Sequence, residues 1–283
     1  MAAPFIIRLN DAGTYVLNVQ PDADALTRLA ADAFVFWTRK AIERRGKAHV
    51  ALSGGSTPKA LFALLATQPY AQQVFWDRVH VWWGDERDVP ATHADSNFRM
   101  ADETLLQHVP IPRANVHRVR TELGAEQAAM HYETEIKFAF GQIAVDPETD
   151  AVLDGAGWPV FDLILLGMGD DGHTASLFPG SDALNEQVRS VTSHFVEKVG
   201  MRRVTFTAPL INAADTVLFL VSGAGKAPML KNVLLGEVNA AQWPSQLIAP
   251  HGKLFWMTDA AAAAQVATGP TYPDGEFIYR RTG

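Results

Sequence analysis

The chain has 283 residues, 48% of them hydrophobic, which suffices for a proper core in one large α/β domain. A net charge of −7 without any Lys/Arg-rich block argues against a nucleic-acid surface. The absence of cysteine removes disulfides, zinc–thiolate sites and thiol nucleophiles, and it suits a cytoplasmic protein. No apolar run is long enough to span a bilayer, and residues 1–10 lack the basic leader and apolar core of a signal peptide.

Asp22 and Asp24 lead into a helix whose apolar positions Leu26, Leu29, Ala30, Ala33, Trp37 and Ala41 follow helical spacing and which stops at Gly46. Short apolar runs then recur at 49–52, 79–83, 161–166, 204–207, 216–221 and 253–257, each reading as a strand. Helix-length patterns lie between most of them, at 58–66, 96–107 and 126–140. Strands alternating with helices predict an α/β fold with an open, mostly parallel, Rossmann-like sheet and helices on both faces. The polar, glycine-rich stretch 146–157 reads as a surface loop inside that pattern, so residues 1–283 are expected to form a single domain. Asp259 before the alanine run 260–264 reads as a capped short helix, and the tail from Gly269 as prone to fraying.

Chemistry-bearing residues collect where the strands end. Ser53-Gly54-Gly55-Ser56-Thr57-Pro58 follows the first of these strands and opens a helix; free backbone N–H groups and the helix dipole there make an anion site, although a plain strand-to-helix turn has the same look. Gly84-Asp85-Glu86-Arg87 comes off the next strand, with Asn97 downstream as either a helix cap or a ligand for a sugar hydroxyl. Gly167-Met-Gly169-Asp170-Asp171-Gly172-His173 carries a histidine and two carboxylates off the apolar run ending at Leu166. Its Gly-x-Gly-x-x-Gly spacing matches a dinucleotide fingerprint only formally, because Pro179-Gly180 denies the helix which that motif requires. Arg203 heads the 204–207 run, and Gly223-Ala-Gly-Lys226 follows the 216–221 run without the hydroxyl residue of a Walker loop. In an open parallel sheet the carboxyl ends of the strands share one crevice, so four such loops in one chain predict one site.

Taken in order, these segments, with the continuation Thr174-Ala-Ser-Leu-Phe-Pro-Gly180, resemble the signature series of the 6-phosphogluconolactonase family over about residues 25–257. The resemblance implies hydrolysis of 6-phosphogluconolactone to 6-phosphogluconate, the second step of the oxidative pentose phosphate pathway, on the fold of glucosamine-6-phosphate deaminase. The deaminase pattern carries a glutamate five residues after this histidine, where this chain has Phe178, which disfavours the alternative of a sugar-phosphate isomerase or deaminase. A non-catalytic sugar-phosphate regulator is a further alternative, disfavoured because no basic recognition helix is visible.

For a lactone, water activated by an imidazole suffices, which makes His173 the expected general base. Either Asp85 or Asp171 is placed to orient it. Arg87, Arg203 and Lys226, with the amides of Ser53, Gly54, Gly55 and Ser56, supply positive potential for phosphate or oxyanion, and Asn97 is a candidate substrate contact. No spacing of metal ligands is visible and no cofactor is expected. The partner is a small sugar-phosphate lactone, with neither nucleic acid nor membrane, and the protein is expected to be a monomer or small homo-oligomer.

Overall fold

The computed structural model describes residues 15–142 and 153–266. Most of the 146–157 loop, the N-terminal residues 1–10 and the tail from Gly269 lie outside the described residues. In chain order the elements are β1 (Tyr15–Gln20), α1 (Ala23–Arg45), β2 (Ala48–Leu52), α2 (Ser56–Leu65), α3 (Tyr70–Gln73), β3 (Val79–Trp83), β4 (Asp85–Arg87) and α4 (Asn97–Ala101). There follow α5 (Ala125–Ala139), β5 (Leu163–Leu166), β6 (Val191–Val196), β7 (Met201–Phe206), α6 (Ala208–Asn212), β8 (Thr216–Val221), α7 (Ala227–Leu235) and β9 (Lys253–Asp259).

Six strands form one wholly parallel sheet in the order β1-β9-β8-β5-β2-β3. Alternate residues of each strand feed two cores. Ala51, Trp82, Ile164 and Phe219 point to the side of α5 and α7, whereas Val50, Trp83, Leu163 and Leu218 point to the side of α1 and α2. Burial on both faces explains why these strands read as continuous apolar runs. Phe219 and Trp256, neighbours in register on β8 and β9, stack with centroids 3.8 Å apart, a pairing worth about 0.5–1 kcal/mol beyond its burial.

Helix α1 begins and ends where its caps predict. The Asp22 carboxylate accepts from the Ala25 N–H at 2.7 Å, and Gly46 closes the helix in the left-handed region. Leu26, Ala30 and Ala41 are buried as expected, joined by Ala31, Phe34 and Val35, whereas Leu29, Ala33 and Trp37 are only partly buried.

Three expectations need correction. The 204–207 run does not join the parallel sheet: β7 pairs antiparallel with β4 and β6 in a separate three-stranded sheet. Asp85-Glu86-Arg87 is accordingly a short strand. Gly84 carries the chain across, its N–H bonded to Leu52 of the large sheet and its carbonyl accepting from Phe206 of the small one. The run after Asp259 forms turns instead of a helix, although the Asp259 carboxylate accepts from the Ala262 N–H as well as from the Gly223 loop.

The chain order reverses between β2 and β5: β3 lies outward of β2, while β8 and β9 lie outward of β5. The loops leaving β2 and β5 therefore open side by side at a topological switch point, the expected place for a ligand crevice.

Candidate active site

At that switch point a crevice of about 230 Å³ is lined by Ser53, Gly54, Gly55, Asp85, Arg87, Gly167, Gly169, His173, Ala175 and Lys226, among others. All four loops singled out in the sequence contribute to it.

His173 is one of its lining residues. Its Nδ1 lies 2.5 Å from Asp171 Oδ1, and the same carboxylate oxygen accepts from the His173 backbone N–H at 3.2 Å. Phe178 stacks on the imidazole with centroids 4.0 Å apart, and the ring side chain keeps 27% of its exposure. Gly169 explains how the loop wraps so tightly: a Cβ there would sit 2.0 Å from His173 Nδ1, so any larger residue displaces the ring. Thr174 Oγ donates to the Gly167 carbonyl at 2.8 Å and pairs across a short bridge with Leu177, which holds Ala175 between them at φ 47°. No helix follows the third glycine, consistent with the rejection of a dinucleotide site.

Burial raises the Asp171 carboxyl, but hydrogen bonds from His173 and from Lys198 outweigh it and hold the group below the usual carboxylate range. The Lys198 ammonium lies 2.6 Å from Asp171 Oδ2. Nothing in the sequence pointed to Lys198, which sits on the turn Glu197–Val199 between β6 and β7.

Asp85, the other candidate to orient the imidazole, is committed elsewhere: its carboxylate accepts from Ser176 Oγ at 2.7 Å and from Asn97 Nδ2 at 3.2 Å. Asn97 is neither cap nor open ligand. Ser96 caps α4 through the Arg99 N–H, and the Asn97 amide is buried between the Asp85 strand and Gly54. A Cβ on Gly54 would meet Asn97 Oδ1 at 2.0 Å, so this glycine lets the β2 loop close on β4. The neighbouring Glu86 is pushed up by burial despite accepting the amides of Arg87, Asn97 and Phe98.

The cations divide. Arg87 lines the crevice and donates to the Asp95 carbonyl at 2.6 Å. Lys226 lines it too, paired with the exposed carboxylate of Asp170. Arg203 stands opposite Arg87 in the β4–β7 register, is only 9% exposed, and does not line the crevice. Burial, and then the charge of Arg87, lower its pKa. Ser56 is exposed at the first turn of α2 outside the lining, and Ser53, Gly54 and Gly55 present the loop to the crevice.

Fold and crevice together define an open parallel α/β protein with an imidazole–carboxylate pair, two cations and a glycine-rich loop at its switch point. Comparison with known proteins makes this specific. The chain belongs to the family described as glucosamine-6-phosphate isomerases/6-phosphogluconolactonase, whose model matches residues 21–256. It is 40% identical over 252 residues to a 6-phosphogluconolactonase of Nostoc sp., covering 89% of this chain and 98% of that one. The crystal structure of 6-phosphogluconolactonase from Thermotoga maritima superposes with a TM-score of 0.71 at 31% identity, covering 87% of this chain and 99% of that one. A monomeric glucosamine-6-phosphate deaminase, 17% identical with a TM-score of 0.71 over 88% of this chain and 99% of its own, shares the fold.

Proposed function

We propose that this protein hydrolyses 6-phosphogluconolactone to 6-phosphogluconate, with His173 as general base. The observation that carries the reading is the Asp171–His173 pair inside a crevice that also holds Arg87, Lys226 and the Ser53-Gly-Gly loop. The family and its 6-phosphogluconolactonase relatives supply the substrate class.

With Nδ1 engaged by Asp171, Nε2 is the nitrogen left to take a proton from water. The activated water attacks the lactone carbonyl carbon, and charge passes to the carbonyl oxygen. As the ester bond breaks, the ring oxygen leaves and accepts the proton now held on His173, which regenerates the neutral base. Asp171 fixes the tautomer and offsets the transient imidazolium charge, the role of an orienting carboxylate. In this scheme Lys226 and the Ser53–Gly55 loop, at the N-terminus of the ten-residue helix α2, receive the phosphate, for which the phosphate displaces Asp170 from Lys226. Arg87 faces the developing oxyanion. Arg203 reinforces the positive potential from behind Arg87.

The same proposal takes residues 1–283 as one domain acting as a monomer or small homo-oligomer, and it places the protein in the cytoplasm on the strength of its cysteine-free composition. Among the described residues no helix is long and apolar enough to cross a membrane.

The test is the hydrolysis of freshly generated 6-phosphogluconolactone above its spontaneous rate, with chelator present, alongside ammonia release from glucosamine 6-phosphate. Lactone turnover without ammonia is expected; a rate equal to buffer, or deamination at a comparable rate, overturns the assignment.

A further inference from the structure

The orienting carboxylate of the site is itself held. Asp171 has two oxygens with different partners: Oδ1 faces His173 Nδ1 at 2.5 Å, and Oδ2 faces Lys198 Nζ at 2.6 Å. The ammonium belongs to the other sheet, on the turn that joins β6 to β7, and reaches back 27 residues in sequence to this carboxylate. A carboxylate bonded at one oxygen only can rotate about its last bond, taking its hydrogen-bond acceptor off the imidazole. A second, charge-assisted bond at the other oxygen removes that freedom.

We propose that Lys198 is a positioning residue of the reaction: it locks the Asp171 carboxylate in the rotation that holds His173, and its charge opposes protonation of the imidazole before water is activated. The inference rests on the assignment of His173 as base. Lys198 is not among the residues that line the crevice; it lines a neighbouring cavity of about 740 Å³ together with Asp171 and Phe178. Its effect therefore travels through Asp171.

The charges around His173 permit this effect to be isolated. Asp171 lies on its own loop and Phe178 stacks on its face. The crevice is also lined by Asp85, which is engaged by Ser176 and Asn97, and by Arg87, which is engaged by the Asp95 carbonyl. The Lys226–Asp170 pair closes another side. Behind Asp171, the cavity carries Glu197, His194 and Asp182 besides Lys198. Of these, only Lys198 and His173 bond the Asp171 side chain. Substituting Lys198 thus removes one charge and one bond from the pair and leaves the other ion pairs in place.

The experiment compares Lys198→Met, Lys198→Gln and Lys198→Arg with the parent protein, each first shown to be folded by thermal unfolding. Lys198→Met and Lys198→Gln are expected to lose on the order of tenfold in kcat with KM unchanged, as for loss of an outer partner that orients a histidine. The acid limb of their kcat/KM profile is expected to move to higher pH by about half a unit, the order of effect of one solvent-screened charge on the far side of the Asp171 carboxylate. Lys198→Arg restores both. Ring-nitrogen NMR supplies a readout independent of turnover: the His173 Nδ1 proton should exchange with solvent faster in Lys198→Met than in the parent or Lys198→Arg. If KM rises while kcat and the pH profile stay put, Lys198 is a substrate contact and the proposal fails. It fails too if neither kinetics nor exchange changes. A parent protein without lactonase activity would sink the functional assignment, and proton exchange would still decide the role of Lys198.

Discussion

Two groups of histidines in this protein show how differently one side chain can be used. At the switch point, His173 has one nitrogen fixed by a carboxylate, a ring stacked on Phe178, and a crevice in front of it. Within the sheet, His49 and His80 sit side by side in the β2–β3 register with stacked rings, and His80 Nδ1 lies 3.1 Å from His117 Nε2. That ladder ends at Glu135, 2.7 Å from His117 Nδ1, and the Trp82 indole N–H donates to His49 Nδ1 at 3.1 Å. Burial, reinforced by the neighbouring histidines, pushes His49 well below the usual imidazole range and His80 down to about 4. Burial thus disfavours the charged form of His49 and His80, which lie along the sheet away from the crevice. His173, by contrast, faces the crevice and is the histidine to which the proposed reaction gives the proton transfer. Reactivity here comes from which partner each nitrogen has and from access, the factors that set a histidine's role.

The sharpest way to break this contrast is His173→Ala. It should cost on the order of a hundredfold to ten-thousandfold in turnover while leaving thermal unfolding nearly unchanged. A folded variant with near-native rate would move the base elsewhere. Next in size is Asp171→Asn, expected to lower kcat on the order of a hundredfold with KM little changed, because the amide favours the wrong tautomer; this is less than for a fully buried triad aspartate, since water reaches this pair. A rise in KM with kcat preserved would contradict the orienting role.

The ladder should appear in stability rather than in rate. Because folding lowers the pKa of His80, the unfolded chain takes up a proton near 6.5 that the folded chain refuses until about 4. The corresponding stability is complete above pH 6.5 and drains away as pH falls toward 4. After discounting for solvent screening, the loss is about 2 kcal/mol. Urea unfolding at pH 7.5, 6 and 5 measures it, and His80→Gln should flatten the dependence without changing lactone turnover. A pH-independent parent over this window would show that the ladder accepts protons in the folded state.

The smallest effects belong to the cations. Lys226→Ala should raise KM about tenfold and shrink the preference for phosphorylated over unphosphorylated gluconolactone, because a phosphate contact is present in ground and transition states alike. Arg203→Ala should do less, since Arg203 does not line the crevice. An Arg203 effect exceeding that of Lys226 would reverse this order.

What the sequence made legible follows from local pattern. The buried parallel strands read clearly because both faces are apolar, and the strand-end loops read clearly because glycine and charged residues cluster there. Strands β1 and β6 were not legible: β1 lies at the sheet edge, and β6 is only partly covered on both faces, with Thr192, Ser193 and His194 half-buried and Phe195 exposed. Missing β6 hid the small sheet, and with it the reason that Asp85 and Arg203 are pulled into strand pairing. The choice between Asp85 and Asp171 could not be made from spacing, because it depends on Ser176 and Asn97 occupying Asp85 from distant parts of the chain. Lys198 depended on the same hidden sheet.

Ala175 has a practical consequence for anyone improving this protein. Among the described residues it is the only non-glycine at positive φ, and it lines the crevice two residues from His173. Holding alanine there costs on the order of 1 kcal/mol, which glycine would return. A selection for thermal tolerance alone would therefore favour Ala175→Gly, and would do so at the loop whose stiffness keeps His173 under Phe178. Libraries built for durability should screen this position for turnover at the same time, because a strained residue beside a site is where robustness and performance are most apt to conflict.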